Sequence, residues 1–369
     1  LMPYGETTQI APGCLVKGTG KMLQVPVGEE LIGQVLDGLG RPLSGERLVT
    51  GKRYDVQRKP PNPLNRPRIL DALSTGVRMI DGLLTVGKGQ RVGLFAGSGV
   101  GKSTLLGMIA KRSSADINVI ALIGERGREV KEFIEKELGP EGMARSVVIV
   151  ATSDQPPLVR LKGAYTATAI AEYFRDQGKE VVLMMDSVTR FAMAQREIGL
   201  ATGEPPTSKG YTPSVFAMLP QLLERSGTAA TGSITAFYTV LVDGDDMNEP
   251  IADAVRGILD GHFVMDRALA NRGQFPAIHV LKSISRVMNQ IASPEHKEAA
   301  QTFRSWLATY IDAEDLINIG AYKKGTNPSI DTAVEKYPYL LTFLKQSIEE
   351  DAAFEQTMTH LSHIARGES

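Results

Sequence analysis

Cysteine is nearly absent: the 369 residues hold one, Cys14, so no intramolecular disulfide can form and a reducing, cytosolic setting is the expectation. Cys14 itself reads as a small hydrophobe. Histidine is scarce too, five residues scattered without metal-ligand spacing, which argues against a structural zinc site. No charge dominates. With 41 basic and 42 acidic side chains the formal net charge is −1, so the whole-molecule field favours neither nucleic acid, an anionic membrane nor an acidic substrate. Apolar runs such as Val147–Val150 and Val181–Met185 fall far below the roughly 18 residues that span a bilayer, and no signal-peptide pattern opens the chain. Any membrane association is expected to be peripheral. Repeats and low-complexity tracts are likewise missing, and the start at Leu1, in mid-pattern, predicts a chain trimmed at its N-terminus.

What is present is a 42% hydrophobic chain long enough for about two or three domains. Residues Leu1 to Leu43 mix glycine with short apolar segments and predict small β-elements and turns. Four prolines in Arg58 to Leu70 predict an extended linker lying along a surface. From about Gly87 to Arg286, the runs RVGLFA, NVIALIG, SVVIVAT, EVVLMMD and SITAFYTVL lack polar alternation and predict strands buried on both faces. Between them lie helical patterns, including Arg128–Leu138 and Leu158–Gly178, so the fold class is α/β with a mostly parallel, helix-wrapped sheet. The tail from about Pro294 is helical in pattern, broken at Gly320–Ser329.

The chemistry begins at Ala96–Thr104, AGSGVGKST, between a strand-like run and a helix-compatible one. Glycines there let backbone N–H groups (Gly97, Ser98, Gly99, Val100, Gly101) face phosphate oxygens, while Lys102 reaches the β/γ-phosphates and Ser103, followed by Thr104, holds Mg²⁺. Ala96 stands where the strict pattern has its first glycine. Asp186 closes the run VVLMMD, where it either helps hold the metal shell or caps the next helix. Glu125, in IGERGRE, either orients and deprotonates the water attacking a γ-phosphate or pairs with Arg126 or Arg128. Arg286, in SISRVM, reads from its residues alone as a surface cation, though an arginine from a neighbouring subunit is one way to neutralise a γ-phosphoryl group. The acidic loop Asp243–Asp246 lacks the ligand spacing of an EF-hand and reads as solvated.

Taken in order, GSGVGKST, GERGREV, VVLMMDSVTRFAMAQREIGLATGEPP, KGYTPSVFAMLPQLLERSG, GSITAFYTVLVDGDDMNEPIAD, ILDGHFVMDR and SISR resemble the ATPases of type III secretion and bacterial flagellar export, over nearly the whole chain. That family is in turn similar to the catalytic subunit of rotary ATP synthases. The resemblance implies a RecA-like P-loop core over residues 29–293, a remnant of an N-terminal β-barrel domain over 1–28 and a helical domain over 294–369. It implies ATP and Mg²⁺, with Lys102 and Ser103 on phosphate and metal, Glu125 as the water-activating carboxylate and Asp186 as the Walker B acid. Arg126 and Arg190 would shape the nucleotide site, Arg286 would be an arginine finger acting in trans, and Phe275 would stack on adenine with Tyr322 a candidate for its other face. A homo-hexamer follows, since one chain carries both Glu125 and Arg286. The implied partners are secretion chaperones, their cargo, and stator and export-gate proteins at the cytoplasmic face of the inner membrane, with no nucleic acid. The host is expected to be an injectisome, with flagellar export the alternative. A rotary synthase subunit, a hexameric RNA translocase and a noncatalytic ring subunit are the other readings.

Overall fold

The computed structural model describes every residue except 1, 6, 7, 9, 46–49, 243, 245 and 368–369. Residues 10–23 carry no strand, and among the described residues the first strand is β1 (Gln24–Val27). This strand pairs antiparallel with β3 (Lys52–Asp55), while β2 (Val35–Asp37) between them joins the main sheet. Val25 and Val27 are fully buried in the same apolar cluster as the main sheet, so the small sheet spans the expected boundary at residue 28. The proline-rich segment is extended apart from one short turn at Pro63–Asn65, and Arg66 fixes it by donating to the carbonyls of Ser226 and Glu224.

After β4 (Ala72–Leu73), α1 (Arg78–Leu83) and β5 (Val86–Gly87), all five buried apolar runs form strands. They are β6 (Arg91–Ala96), β7 (Ile117–Ile123), β8 (Ser146–Ala151), β9 (Glu180–Asp186) and β11 (Ser233–Leu241), with the two-residue β10 (Gly227–Thr228) antiparallel beside β11. With β12 (Gly261–Met265) and β13 (Ile284–Ser285) the order is β13-β12-β6-β11-β9-β7-β8-β2. Every pairing along it is parallel except β12 with β13. A parallel sheet must be covered on both sides. The helices α2 (Lys102–Arg112), α3 (Gly127–Glu132), α4 (Gly139–Met143), α5 (Pro157–Asp176), α6 (Val188–Ala201), α7 (Pro213–Leu223), α8 (Pro250–Ile258), α9 (Arg267–Asn271) and α10 (Met288–Ile291) complete the α/β part.

The expected continuous helix at Arg128–Leu138 is instead α3 followed by a π-helical stretch, Phe133–Leu138. The wider turn presses Glu137 onto α2, where its carboxylate accepts from Thr104 Oγ1 at 3.1 Å.

The tail forms α11 (Pro294–Asn318), α12 (Pro328–Leu344) and α13 (Phe354–Arg366), with the break where expected. Ser293 caps α11 by accepting from His296 N. Phe303, Leu307, Leu340, Phe343, Leu361 and Ile364 belong to one buried cluster with Leu94 of β6 and Met79 of α1, so the tail shares its core with the sheet. No helix among the described residues is long and apolar enough to cross a membrane.

Candidate nucleotide site

Four neighbouring strands deliver the site to one edge. Parallel β6, β11, β9 and β7 end together: Ala96 lies beside Leu241, and Leu122 beside Asp186. Ligands of open α/β sheets bind at such carboxyl edges. The cleft there measures about 670 Å³ and is walled by Gly97, Ser98, Gly99, Gly101, Lys102, Ser103, Thr104, Glu125, Arg126 and Arg190, with Gly124, Glu129, Ser153 and Val242. Val100 is fully buried in the core, so it contributes to the cradle through its backbone only.

The cradle turns through positive φ at Gly99 (77°) and Gly101 (87°), and Lys102 opens α2 directly after it. A left-handed glycine before a helix N-terminus leaves amide groups free for an anion. Arg267, the first residue of α9, holds the loop from outside by donating to the Ser98 carbonyl at 3.1 Å.

Lys102 Nζ sits 2.5 Å from Asp186 Oδ1 and 3.9 Å from Glu125 Oε1. Asp186 is oriented by Thr239 of β11, whose hydroxyl donates to Oδ1 at 2.7 Å. Ser187, not Asp186, caps α6: its hydroxyl accepts from Arg190 N at 3.2 Å. That leaves the Asp186 carboxylate free for the site. Burial and then the Asp186 charge push the Glu125 carboxyl up to about 7, with Lys102 pulling the other way. Its backbone is fixed by Ser153 N, which donates to the Glu125 carbonyl at 3.0 Å.

Arg190 approaches because Gly124 (φ 73°) offers no side chain: a Cβ there would lie 2.7 Å from Arg190 Cβ. Among the described residues its Nε is buried without a hydrogen-bond partner, on a side chain that lines the cleft. Arg126 is exposed and pairs loosely with Glu129 at 3.5 Å.

Phe275 is half exposed, and its ring lies 3.5 Å from where a Cβ on Gly101 would stand. It walls an adjoining cleft of about 640 Å³ shared with Arg78, Gln346, Ser347 and His360. Tyr322 is not brought to either cleft. Its hydroxyl lies 2.8 Å from Asp331 Oδ1 and 3.0 Å from the Asn327 carbonyl, pinned to the start of α12. Arg286 also stands apart. It lies beside the start of β12, where Nη1 and Nη2 donate to the carbonyls of Leu259 (3.3 Å) and Arg256 (3.4 Å), whereas the cradle follows the opposite end of β6. Of the acidic loop, Asp243 and Asp245 lie outside the described residues, and exposed Asp246 pairs with Lys209 at 3.3 Å.

Thr239, Arg267, Ser153 and Gln346 are parts of this region that sequence reading missed. A threonine in a strand and a lone arginine, serine or glutamine carry no spacing signal.

The model of the ATP synthase alpha/beta family, nucleotide-binding domain, matches residues 76–285, and that of the T3SS EscN ATPase C-terminal domain matches 292–363. A flagellum-specific ATP synthase of Bacillus subtilis is 65% identical over all of this chain and 84% of its own length. A type 3 secretion system ATPase of Xanthomonas euvesicatoria is 52% identical over 99% of this chain and 83% of its own. Among solved structures, the assembled ATPase EscN of the enteropathogenic E. coli type III secretion system is 50% identical, with a TM-score of 0.89 over 93% of this chain and 84% of that one. The shared architecture is a RecA-like P-loop core with a helical C-terminal domain. The chain therefore belongs to the ATP synthase alpha/beta family and, within it, to the P-loop ATPases of type III secretion and flagellar export.

Proposed function

We propose that this chain hydrolyses ATP with Mg²⁺ within a homo-hexameric ring at the cytoplasmic face of a bacterial inner membrane, and that the energy frees export cargo from chaperones and unfolds it. The observation that carries the reading is Lys102 held between two carboxylates, Asp186 and Glu125, at the mouth of a glycine cradle. One cation facing two anions leaves negative charge that a divalent ion offsets, and the Ser103 hydroxyl and Asp186 carboxylate are the hard oxygen donors that Mg²⁺ accepts. Bound there, the metal neutralises charge on the β- and γ-phosphate oxygens.

The rest is done by the chain. Cradle amides and Lys102 bind and orient the triphosphate, and the Arg190 guanidinium adds a positive charge to the cleft lining. Glu125 takes a proton from the water attacking the γ-phosphorus in line. A carboxyl titrating near 7 is matched to base catalysis at neutral pH. Arg126, exposed on the rim, is free to turn toward phosphate. Phe275 offers an aromatic face for adenine beside Gly101, and Tyr322 has no part in it.

Arg286 cannot serve its own cradle from the start of β12, which supports a finger acting on the next subunit of a ring. A noncatalytic ring subunit has no use for Glu125, and the same carboxylate leaves a rotary synthase subunit as a second reading. The host is an injectisome or, alternatively, a flagellar export apparatus; relatives of both kinds support the family-level reading. Stator and gate proteins, chaperones and cargo are the proposed partners.

The test is steady-state hydrolysis of Mg-ATP across a range of protein concentrations, for this chain and for Arg286→Ala. Specific activity should rise with concentration and collapse in the variant. Activity independent of both concentration and Arg286 would refute the ring with a finger in trans.

A further inference from the structure

We propose that Gln346 is a positioning residue for the nucleotide base, setting Phe275 against the cradle from the helical tail; this rests on the ATP reading above. Gln346 lies in the turn after α12 and is buried. Its main-chain N–H donates to the Phe275 carbonyl at 2.9 Å. Its Oε1 accepts from Arg78 N, at the start of α1, at 2.8 Å. Its Nε2 donates to the carbonyls of Gly76 at 2.9 Å and Glu350 at 3.0 Å. Both amide protons and the amide oxygen are thus used, which fixes the side chain in one orientation.

These bonds join three parts of the molecule at the rim of the 640 Å³ cleft: the loop carrying Phe275, the entry to α1, and the turn Lys345–Glu350. Arg78 closes the same circuit with an ion pair to Glu350. The Phe275 ring in turn lies 3.5 Å from where a Cβ on Gly101 of the cradle would stand. A purine ring lying on Phe275 would therefore rest on a wall whose place is set by the tail, while the triphosphate is held by the cradle. Replacing Gln346 removes its own three side-chain bonds, leaving the Arg78 N–H and two carbonyls without these partners, so the Lys345–Glu350 turn that carries the main-chain bond to Phe275 loses these ties while the Arg78–Glu350 ion pair remains.

The experiment compares wild type with Gln346→Leu, Phe275→Leu and the double variant. It reads KM and kcat for Mg-ATP, together with inhibition by Mg-tripolyphosphate, which has the phosphates and no base. Gln346→Leu should raise KM about tenfold with kcat within about twofold. Tripolyphosphate inhibition should stay unchanged, and the double variant should be no worse than Phe275→Leu alone, since both act on one contact. An unchanged KM, a tripolyphosphate affinity that falls in step with KM, or strict additivity would each overturn the role. Should Gln346→Leu not fold, Gln346→Glu carries the test. It keeps an acceptor for Arg78 N and sets an acceptor against the two carbonyls. Failure of the underlying ATP reading shows separately, as a wild-type chain without Lys102-dependent turnover. The contrast between ATP and tripolyphosphate, read then as equilibrium binding, still decides the part played by Gln346.

Discussion

Among the ion clusters of the described residues, two are built in opposite ways. Arg225 and Glu172 are both 1% exposed and meet through two parallel bonds of 2.8 Å, while Arg225 Nη1 donates to the Val56 carbonyl and Arg58 approaches the carboxylate from outside. Donors and acceptors balance, and the cluster ties α5 to the chain after α7 and after β3. At the sheet edge, one ammonium serves two carboxylates, the second only at 3.9 Å, and a neighbouring guanidinium nitrogen has no partner among the described residues. A balanced network has nothing left to bind. An unbalanced one, open to a cleft, is poised for ligand charge, and there burial and then the Asp186 charge raise the Glu125 carboxyl to about 7.

The sharpest break of this contrast is Glu125→Gln. Turnover should fall by about 10²–10⁴-fold, the usual cost of losing a general base, with nucleotide binding retained. Stopped-time phosphate release and equilibrium nucleotide titration measure the two separately, and full turnover in the variant would remove Glu125 from the chemistry.

Arg225→Leu should act on the other cluster alone. Leaving Glu172 buried without its partner costs about 3–5 kcal/mol of stability, visible in urea unfolding, while turnover per folded molecule at low temperature stays near wild type. An unchanged unfolding midpoint would mean that the cluster relaxes around the loss.

A smaller effect is the dependence of stability on pH without nucleotide. Glu125 titrates at about 7 in the folded protein against an ordinary 4.5, so the native state holds a proton that the unfolded chain releases. Its contribution is fully present below about 4.5 and is lost as pH rises through 7, with a slope of at most about 1.4 kcal/mol per pH unit. Asp81, buried and pushed up to about 6 despite bonds from Thr75, Gly76 and Ser74, adds a second loss that ends lower. Thermal melts from pH 5 to 8 should show Glu125→Gln flattening the curve between about pH 6 and 7 and leaving only the shallower Asp81 slope below 6.

The contrast also bears on what could be read from residue order. The five central strands were legible because each is an unbroken apolar run, and the cradle because glycine, lysine and serine fall at a spacing that only phosphate chemistry explains. Asp186 and Glu125 were legible as carboxylates closing or following such runs, although the helix cap falls to Ser187. The placement of β2 beside β8 was not legible: three residues, Val35–Asp37, carry too little pattern to declare a sheet edge. Glu172 and Arg225 lie 53 residues apart, and nothing local in either marks the bond between them. Arg286 entered the candidate site only through resemblance, since the proposed finger would act on a neighbouring subunit that one chain does not supply. Tyr322 was named through resemblance alone, and residue order gives no sign that Asp331, nine positions on, accepts from its hydroxyl away from both clefts.

The cluster that runs from Leu94 and Met79 to Phe303, Phe343 and Leu361 has a consequence for how such proteins diversify. A tail that shares its interior with the sheet is not an exchangeable module. Grafting the helices of another relative onto this core would ask two sets of side chains, fitted to different neighbours, to fill one volume, and close-packed interiors tolerate such mismatch poorly. Substitutions in the tail and beneath β6 are therefore expected to be inherited together, so that lineages exchange the exposed faces of α11 and α12 freely and their inner faces only as matched sets.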